Sequence, residues 1–173
     1  MFRILLRNVF LTALLAICCT SQGVEWVYED TGVSFQLPED PAWRQVKPPR
    51  AEAKLVLQRN DTNASVVFIA FAKKPGREVL NEEFVHRWEN GYYRKPGNEK
   101  LSGEFFTFKG RRAYKATSEA TRDNDKTKRA TILWFEDYRL FEIAATKHDA
   151  EPLQDKVIKE FIDSIKFGVK PAK

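Results

Sequence analysis

Lys128-Arg129-Ala130-Thr131-Ile132-Leu133-Trp134-Phe135 and Tyr138-Arg139-Leu140-Phe141-Glu142-Ile143-Ala144-Ala145-Thr146, joined by Glu136-Asp137, read as the two arms of a β-hairpin. The period then changes. From Asp149, placed to open a helix, Leu153, Val157 and Phe161 fall on one stripe, and Ile158, Ile162 and Ile165 lie beside it. Spacings of three and four residues put all six side chains on one helical face. That face must be covered, and the hairpin before it is the nearest apolar surface. Strand, strand, helix over Lys128–Phe167 sets the fold class: strands paired locally, with a helix laid on them.

Upstream, Lys54–Arg59 and Ala64–Ala72 flank Asn60-Asp61-Thr62-Asn63, a strong turn sequence. The second arm is apolar at every position from Val66 to Phe71, which predicts a central strand with material above and below. Before it, Glu25–Tyr28 and Val33–Leu37 form short strands around Asp30-Thr31-Gly32, with Val33, Phe35 and Leu37 alternating as in a half-buried strand. Trp43 and Val46 tuck the next segment against the sheet, and Pro48-Pro49 ends it.

After the exit loop at Lys73-Lys74-Pro75-Gly76, Asn81 is placed to cap a short helix, with Leu80 and Val85 as its staple. Leu80, Phe84 and Trp88 make its inward stripe, and Gly91 is a natural stop. A loop over Tyr92–Lys100 leads to strands Gly103–Lys109 and Arg112–Ala120. Hairpins following one another imply antiparallel pairing, and helices set apart from the strand runs imply α+β. The expectation is a single antiparallel sheet of six or seven strands flanked by helices, an α/β/α sandwich.

The 173 residues suit one domain, but the first 23 read as a secretory signal. Arg3 and Arg7 lie in a basic opening with no acid, Val9–Ile17 is apolar, and small or polar residues follow at Cys19, Thr20, Ser21 and Gly23. The apolar run is too short to span a bilayer, which takes roughly 20 residues. The division is therefore 1–23 signal and 24–173 domain. A lipoprotein signal resembles Leu15-Ala16-Ile17-Cys18, with Ile17 standing where that signal has a small residue; lipidation at Cys18 would tie the protein to a membrane. Residues 24–173 hold no cysteine, so the exported domain stands on packing alone. They carry 27 basic and 24 acidic side chains, a mild excess that favours solubility and gives no footprint for nucleic acid.

Glu29-Asp30-Thr31-Gly32-Val33-Ser34-Phe35-Gln36-Leu37-Pro38, followed by Trp43, resembles the opening of the PsbP-like superfamily. So does the close, where the strand Arg139–Thr146, a loop and an amphipathic helix lead to Asp163-Ser164-Ile165-Lys166-Phe167. That superfamily includes the extrinsic oxygen-evolving protein of photosystem II, bacterial periplasmic and lipoprotein relatives, and a Ran-binding nuclear import factor. The resemblance implies an α/β/α sandwich and a non-enzymatic role in binding or assembly. It carries over no functional residue.

Chemistry-bearing clusters are sparse. His86 faces away from the stripe of its helix, and His148 falls in the loop before the last helix. No His-x-x-x-His or Cys-x-x-Cys spacing offers a metal site. Asp123-Asn124-Asp125 starts like a calcium loop, but Lys128 and Trp134 occupy the glycine and glutamate positions. Asn60 and Asn63 each open a glycosylation sequon. The acid pairs Glu39-Asp40, Glu82-Glu83 and Glu136-Asp137 sit in turns or a first helical turn, where acids are common. No catalytic residue, cofactor or metal is expected. The surface singled out for binding is Tyr92, Tyr93, Arg94 and Lys95, where aromatic area meets cationic donors. Packing of both tyrosines against the sheet is the competing account. The expected function is an exported, non-catalytic binding or assembly module whose partner is another envelope protein. The alternatives are a small hydrolase-type enzyme using acids gathered by the fold, or a lipid-anchored envelope protein.

Overall fold

Seven antiparallel strands form one sheet, in the order β3-β4-β5-β9-β8-β7-β6. They are β3 (Trp43–Gln45), β4 (Ala53–Arg59), β5 (Ala64–Ala70), β6 (Asn98–Phe108), β7 (Arg111–Arg122), β8 (Asp125–Glu136) and β9 (Arg139–His148). The computed structural model describes residues 23–74, 79–94, 97–122 and 125–168. Residues 1–22 with Cys18, the loop residue Lys95 and the pair Asp123-Asn124 lie outside the described residues. The first two strands, β1 (Glu25–Tyr28) and β2 (Val33–Gln36), form a separate two-stranded sheet. The expected single sheet is thus seven strands with a hairpin laid on it.

The alternation read in the sequence decides what each face carries. On one face, Phe68, Trp134, Phe141, Ile143, Ile132 and Leu55 join Phe35 of β2 and Ile158, Phe161, Ile162 and Ile165 of the C-terminal segment. The rings of Phe35 and Phe161 stack at 4.9 Å and 3°, which locks the hairpin to the last helix. Phe68 packs edge-on to Phe35 at 4.8 Å and stacks on Phe141 at 5.7 Å. The opposite face is smaller. Helix α1 (Glu82–Tyr93) rests there through Leu80, Phe84 and Val85 on Tyr114, Ala116 and Leu133.

Helix α2 covers only Lys156–Asp163, preceded by a 3-10 turn at Pro152–Gln154. Asp149 does not open it: its φ is +50°, a left-handed turn residue, and the cap is Asp155. The Asp155 carboxylate accepts the N–H groups of Val157 (3.0 Å) and Ile158 (3.2 Å) and pairs with Lys147 at 2.5 Å. Ile165 lies past the helix end and is still buried. Nor does Gly91 end α1, which continues to Tyr93. The hairpin turn is Asp137-Tyr138, both at positive φ, with Glu136 paired to Arg139. His148 ends β9, its Nδ1 3.0 Å from Asp149, rather than sitting in a loop.

Two outcomes test this packing. Phe68 is wholly inaccessible, so Phe68→Ala should cost about 3–5 kcal/mol by denaturant unfolding; a cost below about 1 kcal/mol would misplace β5. Burial pushes the Asp155 carboxyl up, but Lys147 and the helix N–H groups outweigh it and hold its pKa below the ordinary value. A carboxyl lowered in the folded state stabilises above its unfolded pKa of about 3.9 and loses that contribution as the pH falls through the folded value. Melting temperature measured from pH 6 down to pH 2 should therefore fall less steeply in Asp155→Asn, which can still cap the helix.

Candidate functional site

Glu142 is the one acid in an otherwise apolar run of β9, and it is 4% exposed. It lies on the α1 face, opposite Ile69 of β5 and Leu133 of β8. An ionised group there requires a partner. Arg129 of β8 supplies one: its Nε donates to Thr131 Oγ1 (3.1 Å) and its Nη2 to Glu142 Oε1 (2.6 Å). The guanidinium also sits 4.5 Å from the centre of the Tyr92 ring.

The last turns of α1 close over this pair. Trp88 and Tyr92, one turn apart, stack at 5.4 Å and 11°, and Tyr93 stands edge-on to Tyr92 at 5.1 Å. Burial raises the Tyr92 hydroxyl above its usual pKa, with Arg129 working against the rise. Burial pushes Tyr93 up to about 12, though its hydrogen bond with Ser118 opposes this. Tyr114 donates to Glu89, which is also 2.6 Å from Lys100. An added Cβ on Gly103 would meet the Tyr114 hydroxyl at 1.8 Å, so only glycine lets that ring lie across the edge strand β6.

Between this end of α1 and the sheet runs a groove of about 660 Å³, lined by Arg50, Phe71, Arg87, Trp88, Gly91, Tyr92, Asn98, Arg129 and Glu142. Three arginines and one acid thus line it, and the acid, Glu142, is already paired with Arg129. Gly91 gives the wall no side chain, and a Cβ built there would meet nothing within 4 Å. A second groove, about 840 Å³, runs beside Leu37, Glu160 and Phe161. Its acids are engaged: Glu25 accepts from Ser34 and Lys166, and Asp40 accepts from Arg59.

Of the residues singled out in the sequence, Tyr92 and Tyr93 are half-buried on α1 and Arg94 is exposed at its C-cap; Lys95 lies outside the described residues. The cation beside Tyr92 is Arg129, from a strand far along the chain, rather than its neighbour Arg94. Sequence reasoning missed Arg129, Glu142 and Arg50. The available signal was a lone acid among apolar residues in β9. The acid pairs considered for catalysis do not gather here: Glu83 pairs with Arg87 (2.8 Å), Glu136 with Arg111 (2.7 Å) and Asp40 with Arg59 (2.6 Å). Among the described residues no group of three or more His, Cys, Asp or Glu side chains could hold a metal ion, and no helix is long and apolar enough to cross a membrane.

CyanoP, the cyanobacterial PsbP of Synechocystis sp. PCC 6803, superimposes with a TM-score of 0.59 at 14% identity, over 84% of this chain and 92% of its own. The fold is PsbP-like. A protein of Bacteroides thetaiotaomicron VPI-5482 shares this PsbP-like arrangement with a TM-score of 0.61 at 13% identity, over 88% of this chain but 51% of its own. LpqN, involved in cell envelope biogenesis of Mycobacterium tuberculosis, matches with 0.50 at 14% identity, over 82% and 90%. No protein-family model and no curated protein matches the sequence.

Arg129→Ala should destabilise the protein by about 3 kcal/mol, the low end for a broken buried pair because Arg129 keeps a quarter of its side chain exposed. Replacing both members, Arg129→Met with Glu142→Leu, should recover most of that loss in urea titrations. An equal or larger loss in the double variant would mean the pair itself carries the stability.

Proposed function

We propose that this protein is an exported, non-catalytic binding module of the cell envelope, which captures a partner protein in the groove between α1 and the sheet. The observation that carries this reading is the composition of the groove. Trp, Tyr and Arg are the side chains most enriched where binding energy concentrates, and here Trp88, Tyr92, Arg50, Arg87 and Arg129 converge. The basic and apolar pattern of residues 1–23 supports export, and the PsbP-like fold shared with LpqN supports an envelope setting. The non-catalytic role is supported by the acid in the groove wall, Glu142, which is held by Arg129 rather than left open.

Gly91 supplies the test. Within a helix glycine costs about 1 kcal/mol relative to the best helix formers, and a Cβ added here would meet nothing within 4 Å. Gly91→Leu should fill the groove while leaving the melting temperature unchanged or higher. Capture of the partner from solubilised native envelopes, quantified by mass spectrometry against an unrelated exported bait, should drop at least tenfold. Undiminished capture by this variant would place the binding surface elsewhere.

A further inference from the structure

The groove carries more information than its place, because its charges and its shape are both fixed by named groups. Arg129 is spent on Glu142 and Thr131. Arg87 is shared with Glu83, a pairing on the exposed outer side of α1. Arg50 is exposed and makes no ion pair among the described residues, yet its charge is felt at the Tyr92 hydroxyl. An occupant therefore meets one uncommitted guanidinium, that of Arg50, and a second on α1 held only by an exposed pairing. The only carboxylate in the wall is already locked to Arg129. Asn98, at the start of β6, adds amide donors to the lining.

The apolar part of the lining is equally particular. Phe71 lies just past β5, and Trp88 and Tyr92 stand as a stacked pair on α1. The missing side chain at Gly91 leaves room beside them. The groove is partly open to solvent, whereas pockets for small molecules enclose most of the ligand surface. An extended chain suits such a trough better than a compact molecule.

We infer that the groove receives an acidic segment of a partner protein, in which an Asp or Glu carboxylate is held by Arg50 and Arg87 while a neighbouring aromatic or aliphatic side chain packs between Phe71 and the Trp88–Tyr92 pair. This rests on the reading of the groove as the binding site. It adds the chemistry of what enters. Arginine suits the role because its planar fork matches a carboxylate with two hydrogen bonds.

The experiment pans a phage-displayed random-peptide library against the folded domain and counter-selects on Gly91→Leu. Selected peptides should be enriched in Asp or Glu beside Phe, Tyr, Trp or Leu. Their affinity, measured by fluorescence polarisation, should fall by about tenfold or more in Arg50→Glu, the scale of one lost charge-assisted hydrogen bond. It should recover in part in Arg50→Lys and weaken as salt is raised. Phenylpropionate, a free acid with an aromatic body, should bind far more weakly than the peptides. Several results would overturn the inference: selected peptides without an excess of acids, no enrichment over a phage control, or affinity indifferent to Arg50→Glu. Phenylpropionate binding as tightly as the peptides would make the ligand a small acid. Self-association of the wild type that Gly91→Leu abolishes would make it a second copy of this chain. If Gly91→Leu loses envelope capture while the peptides show no acidic preference, the groove stands as the site and only the acidic chemistry fails. If Gly91→Leu changes neither, both readings fail together.

Discussion

Phe68 is the point at which the layers of this protein meet. Its ring lies against Trp26 and Tyr28 of the N-terminal hairpin, Phe35 above it, and Trp134 and Phe141 of the neighbouring strands. Every element on that face is thereby referenced to one side chain of a strand third from the edge. The domain holds no disulfide in its described part, so its order has to come from such interdigitation. Phe35 and Phe161 then transmit the same constraint to α2. The C-terminal helix cannot shift along the sheet without displacing the N-terminal hairpin.

The two faces are built on different terms. One is closed by aromatic and aliphatic side chains throughout. The other carries the smaller apolar cluster under α1, and beyond it the Arg129–Glu142 pair. A buried ion pair is a poor way to gain stability, since apolar replacements of similar volume often do as well. A glycine within a helix is likewise unfavourable. Two locally unfavourable choices thus border the same trough, and stability is a weak explanation for either of them.

How much of this was visible beforehand follows from the range of each interaction. The continuous apolar run Val66–Phe71 and the helical spacing in Val157–Ile162 are local, and they fall on β5 and α2, with the ends displaced by a residue or more. The cap of α2 was misplaced because Asp149 and Asp155 both precede apolar residues, and only the fold shows which carboxylate meets the helix N–H groups. Gly91 looked like a stop because glycine usually is one; here the anchoring of Tyr92 and Tyr93 to strand residues carries the helix through. The Arg129–Glu142 contact was beyond local reading. It joins two strands through the register set at Asp137-Tyr138, and a slip of one residue would have turned Glu142 to the opposite face.

Helix α1 has an apolar root and a polar tip, and this gives it a gradient of local stability. Leu80, Phe84 and Val85 are buried in an apolar cluster with Trp88 partly buried against it, whereas Tyr92 and Tyr93 beyond are held by ring contacts, one cation over a ring and hydroxyl contacts. Segments held by few apolar contacts open at a fraction of the global unfolding free energy. The amide protons of the tip should therefore exchange with solvent well before those of the root, and the width of the trough becomes a fluctuating quantity. A helix packed into the core at one end and held by polar contacts at the other is a wall that can move without the sheet taking part.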